Sequence, residues 1–197
     1  MKAIKYFIAA GVVCLSAMGA QAQQNTNIRG TVTAFDGKAV SIKTLDQRDV
    51  SVDLPESVNV AISKAFTLAD VKPGMLLGVT TIKRPDGSVV AIDVRPIPAT
   101  ANQGLSPYDL QPESTMTNAA VEATVTSANG PELTLNYKTG SVKVLVPAGT
   151  PMSQAAPGAR TDVKAGETIF VAARREEGGK LVAVRVQVSK DGVKPTQ

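Results

Sequence analysis

The chain repeats itself. Gly30-Thr31-Val32-Thr33 returns as Ala123-Thr124-Val125-Thr126, and Asp70-Val71-Lys72-Pro73-Gly74 returns as Asp162-Val163-Lys164-Ala165-Gly166. Pro55 maps onto Pro147, an offset of 92, and Gly87, Ala91 and Val94 map onto Gly179, Ala183 and Val186. The offset holds to within one residue, which predicts two copies of one small module.

Each copy has a strand grammar. In the first, Ile28, Gly30, Val32 and Ala34 alternate with polar residues, then Val40, Ile42 and Thr44, then Val50, Val52 and Leu54. Asp36-Gly37 and Asp46-Gln47 separate these runs as turns, and Pro55 ends the third. Lys72-Pro73-Gly74 leads into a run from Leu76 to Ile82, and Pro85-Asp86-Gly87 turns it into Val90, Ile92 and Val94. The second copy repeats this from Val121 to Val188. About five strands in a module of some seventy residues suit a small closed barrel, because closure hides the edges an open sheet exposes. The expected fold is all-β: two tandem small OB-like β-barrel modules, residues 27–98 and 120–189, joined by a docked linker over 99–119. A small β-sandwich is the alternative. Gly74 and Gly166 should occupy equivalent turns with positive φ, and the tail, 190–197, should fray.

Residues 1–22 read as an export signal: Lys2 and Lys5, an apolar run from Phe7 to about Met18, and the A-x-A site Ala20-Gln21-Ala22. The mature chain then starts near Gln23 in the periplasm. Its apolar runs fall short of the roughly 20 residues a membrane span needs. Cys14, the single cysteine, leaves with the signal, so burial and strand pairing alone must hold the fold. The formal charge of +4 includes Lys2 and Lys5, which leaves about +2 spread along the mature chain. That balance argues against nucleic acid or anionic membrane as a partner.

With no histidine, no tryptophan and no cysteine beyond Cys14, the mature chain lacks a Ser-His or Cys-His pair and a His/Cys metal site. It has no P-loop and no G-x-G-x-x-G. No catalytic residue, cofactor or metal site is expected. Asp36, Asp46, Asp86 and Glu132 fall at expected turns, where such side chains bond local backbone. Asp53 and Asp93 fall within strands on the faces opposite the apolar series, where they should be solvated. Phe35, Phe66, Tyr108, Tyr137 and Phe170 do not recur between copies, so packing explains them better than a stacking platform. Lys83-Arg84 and Arg174-Arg175 do recur, as charged strand ends or an anion-binding rim.

The linker stands outside the repeat, yet carries apolar residues a solvated spacer would not favour. The candidate interaction surface is therefore Tyr108, Asp109, Leu110, Ser114, Thr115, Met116, Thr117 and Asn118. The pattern Pro107-Tyr108-Asp109-Leu110, then Ser114-Thr115-Met116-Thr117-Asn118-Ala119, between copies with Gly/Ala-Thr-Val-Thr and Asp-Val-Lys-x-Gly, resembles a family of small exported bacterial proteins. Their domains are OB-like and of unknown function. Some members carry an automatic label of metal ABC transporter permease, which a chain without a later span contradicts. The resemblance implies location and fold and supplies no catalytic residue. The expected function is an exported non-enzymatic binding or accessory protein acting on an envelope protein or glycan. The alternatives are a carboxylate-dependent glycan hydrolase and a metal-handling accessory protein using carboxylates, carbonyls, hydroxyls or Met75, Met116 and Met152.

Overall fold

A computed structural model describes residues 25–196. The expected signal, residues 1–22 with Cys14, lies outside the described residues. Thirteen strands follow in order: β1 (Asn25–Phe35), β2 (Ala39–Thr44), β3 (Asp49–Asp53), β4 (Val60–Ala65), β5 (Leu76–Lys83), β6 (Val89–Pro96), β7 (Gly104–Pro107), β8 (Thr115–Ser127), β9 (Gly130–Tyr137), β10 (Gly140–Leu145), β11 (Ser153–Pro157), β12 (Thr168–Arg175) and β13 (Leu181–Val188). They close two separate five-strand barrels, as the OB-like expectation requires.

The copies are not the barrels. The first barrel runs β1-β2-β3-β13-β12 and back to β1, so its meander is from the first copy and its closing hairpin from the second. The second barrel runs β8-β9-β10-β6-β5 and back to β8, with the opposite parentage. Segments 27–98 and 120–189 therefore each contribute to both barrels, which corrects the expectation of one barrel per segment. The buried cores say the same. Val32, Val40, Ile42 and Val52 pack with Ile169, Val171, Val186 and Val188. Leu77, Val79 and Val94 pack with Val121, Leu133, Leu135 and Val144.

The long excursion after the meander makes the exchange. β4 lies parallel to β13, with Val60 opposite Val186, and Met152, just before β11, mirrors this through a parallel bridge to Val94 of β6. β4 and β11 then pair antiparallel, from Ala61 opposite Pro157 to Ala65 opposite Ser153. The pair at the centre is Ser63 and Ala155, which are repeat mates (63 + 92 = 155). The ladder is thus self-complementary, and a local two-fold relates the two halves of one chain. Each chain segment leaves one barrel along this ladder and enters the other.

The first strand needs a correction of register. Gly166 N–H donates to Val32 O at 2.9 Å, and its mate Gly74 N–H donates to Val121 O at 2.8 Å. Val32 therefore matches Val121, an offset of 89, and not Val125. Val32 is buried whereas Val125 is 46% exposed. The hairpin absorbs the difference. Phe35 faces Val40 across five positions, while Thr124 faces Leu133 across nine. Gly74 (φ 81°) and Gly166 (φ 91°) do share one turn conformation, as expected.

Residues 190–196 are docked rather than frayed. Lys190 bridges Val193, and buried Thr196 places its hydroxyl 2.8 Å from that of Ser153. No helix among the described residues is long and apolar enough to cross a membrane.

Candidate functional site: the strap and the arginine stack

The linker is an ordered strap. β7 adds to the outer edge of β8, with Gly104 opposite Asn118 and Pro107 opposite Thr115. Thr115, Met116, Thr117 and Asn118 are thus strand residues of the second barrel. The seven residues between, 108–114, form the turn. Buried Ser114 pins it, its hydroxyl 2.9 Å from Tyr108 O and 2.8 Å from Gln111 O. Asn118 Nδ2 donates to Asn102 O at 3.1 Å and holds the strap's start. Thr117 faces the core opposite Val79, and its hydroxyl is buried without a partner.

Tyr108 is the centre of what the strap does. Its ring lies 5.4 Å from the Arg29 guanidinium and 5.9 Å from that of Arg95. Arg29 in turn lies 5.4 Å from the Phe170 ring, whose other neighbour is Arg185 at 5.0 Å. The resulting order is Arg95, Tyr108, Arg29, Phe170, Arg185. Arg29, Phe170 and Arg185 stand on β1, β12 and β13 of the first barrel, and Arg95 stands on β6 of the second. Strand alternation explains the placement. Ile28, Ile169 and Val171 point into the first barrel and Val94 into the second, so their neighbours point outward. Phe170 is nevertheless buried, because the stack covers it.

Two carboxylates join the stack. Asp109 accepts from Arg29 Nη2 at 2.8 Å and from Asn27 Nδ2 at 3.0 Å. Partial burial would raise its pKa, but these bonds outweigh burial and hold it below the ordinary carboxylate value. Asp93 is the reverse. It is buried, accepts from Thr80 Oγ1 at 3.0 Å and Arg95 Nη1 at 3.1 Å, and keeps Oδ2 without a partner. Burial dominates and raises its pKa, with Arg95 and Thr80 only partly offsetting it. This overturns the expectation of a solvated Asp93. Arg95 Nη2 also donates to Met116 Sδ at 3.5 Å, so Met116 backs the ion pair. Burial, with Arg95 nearby, lowers the pKa of Arg185.

Tyr108, Asp109 and Met116 are therefore brought together. Ser114, Thr117 and Asn118 are structural, Thr115 is half-buried in the strand pair, and Leu110 borders a groove on the first barrel. Sequence reasoning missed Arg29, Asp93, Arg95, Phe170 and Arg185. A signal was present for Asp93 and Arg95: opposite charges at i and i+2 of one strand share a face.

Most of the acids at expected turns are engaged locally. Asp36 accepts from the Lys38 and Ala39 amides, Asp46 from Thr44 and Arg48, and Asp86 from Ser88, and these bonds lower each pKa. Asp70 and Asp162 close equivalent short turns by accepting from the Thr67 and Ala159 amides. Glu132 stands in β9 rather than in a turn, 3.6 Å from Lys143, and Asp53 meets Lys180 at 2.7 Å. Arg174 pairs with Glu176 at 2.9 Å, and Arg175 donates to Gly179 O at 3.1 Å. Among the described residues no three Asp, Glu, His or Cys side chains converge. Comparison with known protein families, curated proteins and solved structures found no match.

Proposed function

We propose that the chain is an exported, non-enzymatic binding or accessory protein of the cell envelope, akin to the small exported family its linker resembles. One observation carries the reading. The strap crosses from the second barrel to the first, delivers Asp109 and Leu110 beside β1, and leaves a shallow groove there. The groove joins exposed Leu45 to Leu110, with Arg48 and Arg175 nearby. Such an apolar floor with a charged rim fits binding. The signal-like sequence of residues 1–22, with Lys2, Lys5 and Ala20-Gln21-Ala22, supports the export part of the reading.

The glycan-hydrolase alternative asks for two free acids across one cleft. Asp36, Asp46, Asp70, Asp86, Asp109 and Asp162 are engaged in turns and ion pairs, and Asp93, which has a raised pKa, is buried against Arg95. The metal-handling alternative finds no group of three carboxylates among the described residues to support it. In-cell crosslinking of the exported chain, followed by capture from envelope extracts, tests the proposal. The expected result is a defined envelope partner that is retained with the exported chain through capture. Release of sugar from envelope glycan by the purified protein would defeat it.

A further inference from the structure

We infer that the open edge of β1 is a docking slot for an extended peptide strand of a partner protein. The inference rests on the binding reading above and gives it a location and a ligand class. The repeat itself shows what covers such an edge. On the second barrel, β7 lies antiparallel along Thr115–Asn118 of β8. With the first-strand offset of 89, the matching stretch of the first barrel is Thr26–Arg29 (115 − 89 = 26, 118 − 89 = 29). The β1–β2 ladder begins only at Gly30, so among the described residues no strand lies along that stretch opposite β12.

The backbone there faces outward. Val32 bonds Glu167 and Gly166 on the β12 side. Alternation turns Gly30, Ile28 and Thr26 the same way and turns Asn27 and Arg29 towards the open edge. Leu45 N–H already donates to Arg29 O at 3.2 Å, which marks the slot's inner end. The slot is the groove beside the strap, walled by Thr26, Ile28, Leu45, Leu110 and Leu181 with Arg175 at its rim. Leu45 is 73% exposed, an apolar side chain awaiting a cover.

Its chemistry selects the occupant. An edge of alternating N–H and C=O groups is matched by another peptide backbone in extended form. Neither a glycan nor a nucleic acid supplies that spacing. Arg29 is neutralised by Asp109 and Arg48 by Asp46, whereas Arg175 bonds only the Gly179 carbonyl among the described residues. The preferred strand therefore places an apolar side chain on Leu45 and Leu110 and a carboxylate at Arg175.

The test uses the full mature chain and fluorescent peptides of about eight residues alternating Val and Thr with one Glu, against the same peptides with Lys or a central Pro. The Glu peptides should bind and slow amide exchange at Asn27 and Arg29. The Lys peptides should bind at least about tenfold more weakly, the loss of one charge-assisted contact, and the Pro peptides not at all. Asn27→Pro and Leu45→Asp should each abolish binding. Should Asn27→Pro fail to fold, Leu45→Asp, on an exposed turn, decides alone. No change at Asn27 and Arg29 with any peptide overturns the slot, as does binding that survives Leu45→Asp. Self-association of the chain that Leu45→Asp abolishes overturns the partner in favour of a second copy. An envelope partner captured equally by wild type and Leu45→Asp overturns the slot while the binding reading stands. Glycan hydrolysis by the purified chain defeats the binding reading alone.

Discussion

Single residues carry the junction between the barrels. Tyr108 fills the gap between two guanidinium groups from different barrels. Tyr108→Ala should cost about 2 kcal/mol or more, from lost burial and two cation–π contacts, and chemical denaturation measures it. The strap's carbonyl-bonding Ser114 is untouched by that change, so exchange of the Ser114 amide, which bonds the Gln111 carbonyl, should stay near its wild-type rate. Asp93 makes stability depend on pH in an unusual sense. Its folded pKa is raised, so the folded state binds more protons than the unfolded state between the ordinary carboxylate value and the raised one. Stability contributed by Asp93 therefore falls as pH rises through that window. The turn acids Asp36, Asp46 and Asp86 act oppositely, because their lowered pKa values give stability that is lost as pH falls through them. Thermal unfolding of wild type and Asp93→Asn between about pH 8 and about pH 4 separates the two. Wild type should gain on the variant as pH drops, and a constant gap would refute the assignment.

At the scale of elements, the matched turns before β5 and β12 depend on Gly74 and Gly166. A Cβ at either would meet nothing within 4 Å, so a substitution is penalised by positive φ alone. Valine at either position should cost about 1–2 kcal/mol, and equally, since the turns are equivalent. Gly30 is different in kind. A Cβ there would stand 2.2 Å from Lys43 O, where β2 crosses β1. Gly30→Ala should cost more than Gly74→Val in the same urea titration, because backbone must move to admit the methyl group. Arg160 acts between elements, donating to the carbonyls of Gly37, Leu54 and Pro55 while its guanidinium lies 5.5 Å from the Phe35 ring. It ties the second copy's excursion to the first copy's meander. Its repeat mate is Leu68, so this latch exists on one side only (160 − 92 = 68).

Exchange sets the behaviour of the whole molecule. Each barrel needs strands from both copies, so neither can unfold while the other keeps its hairpin in place. Val52→Ala in the first core and Val144→Ala in the second should each cost about 1–3 kcal/mol and move the same single transition. Two resolved transitions in calorimetry would contradict the strand pairing. A protease site placed at Pro112, in the exposed strap turn, should yield two fragments that stay together in size-exclusion chromatography and separate only in denaturant. Pairing between strands so distant in sequence also predicts slow folding, in milliseconds to seconds.

The repeat, the alternation and the turn residues determined much by themselves. Period-two apolar spacing dictates strands, and the exposed edges an open sheet would leave favour closure, so the barrels and the Gly74 and Gly166 turns were legible. Parentage was not. A hairpin such as β12–β13 offers the same inward Val171, Val186 and Val188 to either meander, and only the β4–β11 ladder decides which barrel it enters. Register in β1 was misread because Gly-Thr-Val-Thr matched Ala-Thr-Val-Thr by letters, whereas longitudinal position is set by which valine reaches the core. The candidate site was half visible. Tyr108, Asp109 and Met116 stood out as strap residues, but their partners came from β1, β6, β12 and β13. Along the chain outward-facing Asp93 reads as solvated and Phe170 as merely packed, and no repeat or motif singles out their partners Arg29 and Arg95. Only when two barrels bring their outer faces to one strap does burial turn them into a stack.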